Sequence, residues 1–185
     1  AMWDPDEAPA PEPLLAGARL HGATTFSEYL TVDARIVLDT VRGAHQAGAR
    51  CVNHATVTGI DPGAEAAVVR VEDGLTGTIR TLRARVVVNA AGPWVDQVCR
   101  LANTDGGPRL HLTKGVHLVV SHARLPVRDI VVMQARDRRS VFAVPRGAVT
   151  YLVTTDTDYG APSEYPEVTA DDADYLLDAA NRTFA

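Results

Sequence analysis

The side chains best suited to chemistry gather in the C-terminal part of the chain. His117 lies in Leu112-Thr113-Lys114-Gly115-Val116-His117-Leu118-Val119-Val120, where strand alternation puts Val116, Leu118 and Val120 on one face and His117 with Val119 on the other. The histidine therefore points away from an aliphatic face, and imidazole as a residue type titrates near neutral pH, which suits proton transfer. Arg139 shares a strand face with Val141 and Ala143, and a planar guanidinium suits bidentate binding of a phosphate dianion. Arg136 and Arg138 flank it, so a solvated basic turn is the alternative. Lys114 reads equally as a substrate contact or as a charge at a strand start. Thr155 and Asp156 fall at a strand end.

Other constellations carry less. His111, His117 and His122 are close in sequence, but His122 has the opposite strand parity and neither cysteine nor paired carboxylate joins them, so no metal site is expected. Asp171, Asp172 and Asp174 read as favourable charges in a first helical turn rather than as an acid pair. There is no G-x-S-x-G elbow and no Cys-His signature for acyl transfer.

A different kind of site is suggested by Arg85-Val-Val-Val-Asn-Ala-Ala-Gly-Pro-Trp-Val-Asp-Gln97. Three consecutive valines read as a strand buried on both sides, at the centre of a parallel sheet. Ala90, Ala91 and Gly92 have almost no side chain, and Pro93 suits the first position of a helix. Strand, small-residue turn and helix N-terminus together let a ligand approach backbone at the positive end of a helix dipole. The alternative is an ordinary tight turn that needs small residues for packing.

The elements that position these residues follow from periodicity. Phe26 to Leu30 reads as a short strand. Thr31 or Asp33 is expected to cap a helix whose buried stripe is Ala34, Val37, Leu38, Val41 and Ala44, closed by Gly48. Ala49 to Asn53 follows as a strand, an α/β step. Thr56 to Ile60, Ala67 to Val71 and Gly77 to Leu82, separated by Asp61-Pro62-Gly63 and Glu72-Asp73-Gly74, predict a three-stranded antiparallel meander that feeds a Val86 to Asn89 strand. Val116 to Ser121, Ile130 to Gln134, Ser140 to Val144 and Thr150 to Thr155 predict a second, antiparallel sheet. Thr169 and Asp172 predict a capping box for a final helix with the stripe Tyr175, Leu176 and Ala179.

Composition sets the bounds. The 185 residues are 46% hydrophobic and 22% charged, ordinary globular values, with a formal net charge of −5 and no basic run, which argues against nucleic acid as a partner. No apolar run approaches the roughly 20 residues that span a bilayer. Cys51 and Cys99 sit apart in apolar contexts and read as buried free thiols in a reducing, cytoplasmic compartment.

Four patches carry a family resemblance: Val32-Asp33-Ala34-Arg35, Val87 through Val95, Leu112 through Val120, and Arg139 through Pro145 followed by Thr154-Thr155-Asp156. Together they resemble the FAD-dependent glycerol-3-phosphate dehydrogenases, within the D-amino-acid-oxidase-like flavoproteins. The Asn-Ala-Ala-Gly-Pro-Trp patch indicates the wider group. The lysine-glycine-x-histidine and Arg-x-Val-Phe strands point to the glycerol phosphate branch. The resemblance runs from about Leu14 to the C-terminus, and Val153 departs from it where a glycine is usual.

The family's G-x-G-x-x-G turn for the FAD pyrophosphate is not in this sequence. The chain is therefore expected to be an internal fragment, inactive in isolation, that binds FAD weakly or not at all. The resemblance implies that Thr56 and Val57 present backbone to the adenine, and that Asn89, Ala90, Ala91 and Gly92 pass close to the FAD phosphate and ribose. It further implies that His117 takes the C2 hydroxyl proton of glycerol 3-phosphate, that Arg139 holds the phosphate, and that Lys114 and Thr155 line the site. The expected fold is mixed α/β: a mobile Pro-rich segment at 1–13, a partial Rossmann-like FAD-binding domain at 14–105 with a meander at 55–84, and an antiparallel-sheet substrate domain at 106–185. The expected reaction yields dihydroxyacetone phosphate and passes electrons to a quinone, with peripheral contact at the inner face of the cell membrane left open. The alternatives are an oxygen-using glycerol-3-phosphate oxidase, an amine-oxidising relative, and a non-catalytic binding module.

Overall fold

The computed structural model describes residues 2–4, 6–8, 12–15, 20–103, 110–160 and 164–184. The chain divides into two compact units, Ala1–Ser27 with Leu112–Ala185, and Glu28–His111.

Strands β1 (Met2–Trp3) and β2 (Ala23–Thr24) pair antiparallel. The first thirteen residues, expected to be mobile, thus contain a paired strand, and Ala8 and Glu12 are buried. Glu12 is anchored by accepting a 2.7 Å hydrogen bond from the Arg128 N–H. The strand expected at Phe26 to Leu30 does not form: the pairing falls at Ala23–Thr24, where Met2–Trp3 supplies hydrogen bonds, and Phe26 and Tyr29 are exposed.

The second unit opens with α1 (Asp33–Gln46). Neither Thr31 nor Asp33 caps it; Val32 is the N-cap, and the Thr31 hydroxyl donates to the Asp33 carboxylate instead. The other end behaves as expected. Gly48 takes φ +93°, its N–H bonds the His45 carbonyl, and the Ala49 N–H bonds the Ala44 carbonyl, a glycine-closed Schellman ending. The meander is β3 (Ala55–Asp61), β4 (Ala67–Asp73) and β5 (Ile79–Ala84), antiparallel in that order with a register shift between Val57 and Gly59. A 3₁₀ turn at Gly92–Trp94 leads into α2 (Val95–Leu101), which packs on β3.

Three expectations in this unit fail together. The stripe Val37, Leu38 and Val41 is exposed rather than buried. Ala49 to Asn53 and Val86 to Asn89 are not strands, and Val86 and Val88 are exposed. The physical reason is shared: a strand exists through hydrogen bonds to neighbours, and an apolar stripe is buried only when something covers it. Among the described residues nothing does either. Cys51, expected to be buried, is exposed, while Cys99 is half-buried; neither forms a disulfide.

The rest of the first unit contains β6 (Thr113–Lys114), β7 (His117–Ser121), β8 (Val131–Gln134), β9 (Ser140–Arg146), β10 (Val149–Val153), β11 (Thr157–Asp158) and α3 (Ala170–Thr183). The expected four-stranded antiparallel sheet forms in the order β7-β10-β9-β8, and the short β6–β11 pair lies outside it. One face of the sheet carries Val131, Met133, Val141, Ala143 and Leu152, which form the core with Leu176, Ala179 and Ala180 of α3. Period 2 in the strands and period 3.6 in the helix bring these apolar sets together. The Thr169 capping box is present as expected: its hydroxyl accepts from the Asp172 N–H, and the Asp172 carboxylate accepts from the Thr169 N–H at 2.9 Å. Thr169→Ala is expected to destabilise the folded protein by about 1 kcal/mol in chemical denaturation.

Candidate active site

The register of the four-stranded sheet brings the sequence-predicted substrate residues to one end. His117 begins β7 and sits opposite Val153, the last residue of β10. Val153 in turn sits opposite Phe142 of β9, and Arg139 immediately precedes that strand. Lys114 pairs with Thr157 across β6 and β11. Thr155 lies between β10 and β11. Residues up to 42 apart in sequence, from Lys114 to Asp156, thus converge through antiparallel pairing.

His117 is exposed, on the sheet face opposite α3, with its ring centroid 6.3 Å from that of Tyr151. The parity read from the sequence therefore holds: Leu118 and Val120 face the other way and are half-buried. Gly115, two residues earlier, lies against the Thr154–Thr155 segment. A Cβ there would lie 2.5 Å from Thr154 Oγ1 and 3.3 Å from the Thr155 carbonyl. The Thr155 hydroxyl accepts from the Val116 N–H at 3.0 Å and donates to the Lys114 carbonyl, so Thr155 joins the two segments from inside.

Lys114 is buried. Its ammonium donates to the Asp172 carboxylate and to the Glu167 carbonyl, both at 2.6 Å, which ties β6 to the start of α3. This hydrogen bond, opposed by burial, lowers the Asp172 pKa from 3.8 to about 2. Because the folded-state value is depressed, the pair stabilises the fold above about pH 4 and that contribution, about 2 kcal/mol, is lost as pH falls towards 2. Lys114→Met leaves a buried carboxylate without its partner and is expected to cost about 3 kcal/mol in denaturant unfolding at neutral pH. Its acid unfolding should also lose the titration between about pH 4 and pH 2 that the unaltered protein shows. Asp172 was legible only as a cap; its pairing with a residue 58 positions away leaves no local signal.

Arg139 lies beside Asp137, Asp156 and Tyr175. Its Nε donates to Asp137 Oδ2 at 2.7 Å, its Nη2 lies 2.7 Å from the same oxygen, and its Nη1 donates to the Asp156 carbonyl. The guanidinium carbon is 5.2 Å from the centre of the Tyr175 ring. The Arg139 hydrogen bond holds the Asp137 carboxyl below its ordinary value, while burial, then the bond to Asp137, raises the Tyr175 phenol. The flanking Arg136 is engaged elsewhere, in a bidentate pair with Asp178 of α3. A cleft of about 400 Å³ lies between these groups, lined by Lys114, Arg139, Thr155, Asp171, Asp172 and Tyr175 among others.

In the other unit, Thr56 and Val57 lie on β3, an outer strand of the meander. The Asn89 side chain is turned into its own loop: Nδ2 donates to the Val95 carbonyl at 2.9 Å and Oδ1 accepts from the Ala91 N–H at 3.2 Å. It therefore fixes the turn, and Ala90, Ala91 and Gly92 are left to present backbone. Gly92 takes φ +54° with open space where a Cβ would be. This arrangement fits close approach of a phosphate or ribose to the chain, as an FAD site requires.

The family model for FAD-dependent oxidoreductases (DAO) matches residues 1–185. The chain belongs to this family of FAD-dependent oxidoreductases. It is 39% identical over 176 residues to the aerobic glycerol-3-phosphate dehydrogenase of Staphylococcus haemolyticus, covering 94% of this chain and 32% of that protein. It is 39% identical over 181 residues to the alpha-glycerophosphate oxidase of Lactococcus lactis, covering 96% of this chain and 30% of that protein. The chain thus spans about a third of the length of these relatives. The crystal structure of the glycerol-3-phosphate dehydrogenase of Bacillus halodurans complexed with FAD superposes with a TM-score of 0.92 at 39% identity, over 99% of this chain and 37% of that one. Among the described residues no helix is long and apolar enough to cross a membrane, and no group of three potential metal ligands occurs.

Proposed function

We propose that this chain is the central part of a flavoenzyme that oxidises sn-glycerol 3-phosphate to dihydroxyacetone phosphate and passes the electrons to a quinone. The observation that carries the reading is a cleft lined by Arg139, Lys114 and Thr155 at the end of the sheet where His117 begins β7 on the opposite face. When bound, FAD supplies the two-electron acceptor for the hydride that leaves C2. The remaining work falls to side chains. A ring nitrogen of His117 takes the C2 hydroxyl proton as the carbonyl forms. The Arg139 guanidinium takes the substrate phosphate.

Charge decides where that phosphate sits. The cleft beside Arg139 carries Asp158, Asp171 and Asp172 against Arg139 and Lys114, and Lys114 is already paired. A dianion is repelled from that interior. It meets Arg139 instead on the solvent side of the guanidinium, whose side chain is 44% exposed. Lys114 and Thr155 then act by holding the β6–β7 segment, and with it His117, rather than by touching the phosphate.

Ala90, Ala91 and Gly92, held by Asn89, would pass along the FAD phosphate and ribose, with Thr56 and Val57 at the adenine. Gly92→Leu puts a branched side chain at a positive φ and into that space, so the complete protein should retain FAD roughly tenfold more weakly, as read by flavin fluorescence after dialysis. The oxidase reading stands beside the dehydrogenase one because the two relatives are equally identical to this chain. Reduced protein mixed with oxygen and, separately, with a soluble quinone separates them: fast peroxide formation identifies an oxidase, and quinone-only reoxidation the dehydrogenase. A quinone acceptor also implies peripheral contact of the complete protein with a membrane surface.

A further inference from the structure

We propose that Asp137 and Tyr175 are positioning residues that hold the Arg139 guanidinium in one orientation for an incoming anion, an inference that rests on the reading of Arg139 as the phosphate ligand. An arginine at a strand entrance is ordinarily free to sample many rotamers, a freedom it must give up on binding anything in bidentate fashion. Here the rotamers are already restricted. Nε donates to Asp137 and Nη1 to the Asp156 carbonyl, and Nη2 lies 2.7 Å from the same Asp137 oxygen. Beneath the plane lies the Tyr175 ring. The Tyr175 hydroxyl donates to Asp137 Oδ1 at 3.0 Å, so the phenol fixes the carboxylate that fixes the guanidinium. Of five N–H donors, two make hydrogen bonds, so the terminal nitrogens keep N–H groups for an anion.

The arrangement spans three elements. Asp137 belongs to the β8–β9 turn, where its Oδ1 also accepts from the Arg139 N–H at 3.2 Å. Arg138, between Asp137 and Arg139, takes φ +68°, which tightens that turn. Tyr175 comes from α3, on the edge of the stripe whose Leu176 and Ala179 are in the core. The holder is therefore braced by the packed helix rather than by the loop itself. The cost of a carboxylate beside an anion site is some lost attraction; the gain is a guanidinium that does not have to be ordered when the substrate arrives.

The test uses the complete protein loaded with FAD. KM and kcat for sn-glycerol 3-phosphate are measured together with the affinity for inorganic phosphate, read by calorimetry so that it does not depend on turnover. Asp137→Ala should raise KM and weaken phosphate binding together by roughly tenfold, with kcat changed less than about threefold. Tyr175→Phe keeps the ring and loses the hydroxyl, and should weaken both by about threefold. Asp137→Asn keeps the shape and the turn, which separates positioning from misfolding, and should fall between the unaltered protein and Asp137→Ala. In an Arg139→Lys background, where there is no fork to orient, Asp137→Ala should add nothing further. Unchanged phosphate affinity in Asp137→Ala, or an equal loss from Asp137→Ala whether or not Arg139→Lys is also present, would overturn the inference. Failure of glycerol 3-phosphate to reduce the flavin while phosphate affinity still follows Asp137 would instead remove the substrate reading and leave the positioning role standing.

Discussion

Arg139→Ala in the complete, FAD-loaded protein is expected to raise KM for sn-glycerol 3-phosphate by roughly 100-fold, with a much smaller change in kcat. The reasoning is one of chemistry and place. Two charge-assisted hydrogen bonds to a dianion are each worth about 1.5–3 kcal/mol, and their loss removes binding common to ground and transition states. Arg139→Lys keeps the charge but not the planar fork and should recover only part of the loss. Glycerol, which lacks the phosphate, supplies the control: its weak turnover should be insensitive to either substitution. A general fall in activity towards both compounds would mean that Arg139 supports the fold, through Asp137, Asp156 and Tyr175, rather than the substrate.

The second large effect concerns His117. His117→Ala should slow flavin reduction by roughly 10²- to 10⁴-fold, the range for loss of a general base, without loosening FAD. The structure makes this residue a clean target. It is exposed on the sheet face opposite the α3 core, and its neighbour is the Tyr151 ring. Removing it therefore leaves no cavity in the core, and thermal unfolding should hardly move. Added imidazole should restore part of the rate if a missing proton acceptor is the lesion. Stopped-flow absorbance of the flavin reads both results directly.

Much of this arrangement was legible in the residues. The meander announced itself through Asp-Pro-Gly and Glu-Asp-Gly between alternating runs, and the second sheet through strands at regular spacing; both formed at nearly the expected bounds. The Thr169–Asp172 box and the Gly48 ending were local chemistry, and local chemistry survived. What failed depended on partners. Val86 to Asn89 and Ala49 to Asn53 had the composition of buried strands, yet no described strand lies beside them, and the Val37–Leu38–Val41 stripe is uncovered. Composition reports that a surface is meant to be covered, not what covers it.

The same distinction runs through the site. His117 could be placed on its face by parity, because parity is a property of one strand. Lys114 could not be placed, because its buried pairing with Asp172 joins a strand to a helix 58 residues away. Asp137 and Tyr175 were missed for a related reason: Asp137 was not singled out within the turn before Arg139, Tyr175 read as part of an apolar stripe, and the packing of α3 on the sheet brings Tyr175 to both. Asn89 was read as part of a turn that passes the cofactor, and its side chain is hydrogen-bonded within that turn, a role its sequence context did not reveal.

The most direct test of the central claim is anaerobic reduction of the flavin in the complete protein. The whole reading frame containing this chain would be expressed, purified with FAD, and mixed with sn-glycerol 3-phosphate in the absence of oxygen. Rapid loss of the oxidised flavin absorbance, slowed strongly in His117→Ala and shifted to much higher substrate concentration in Arg139→Ala, is the predicted result. Bound flavin that glycerol 3-phosphate does not reduce would contradict the substrate assignment and favour an amine-oxidising relative. A complete protein that holds no flavin would contradict the enzymatic reading itself.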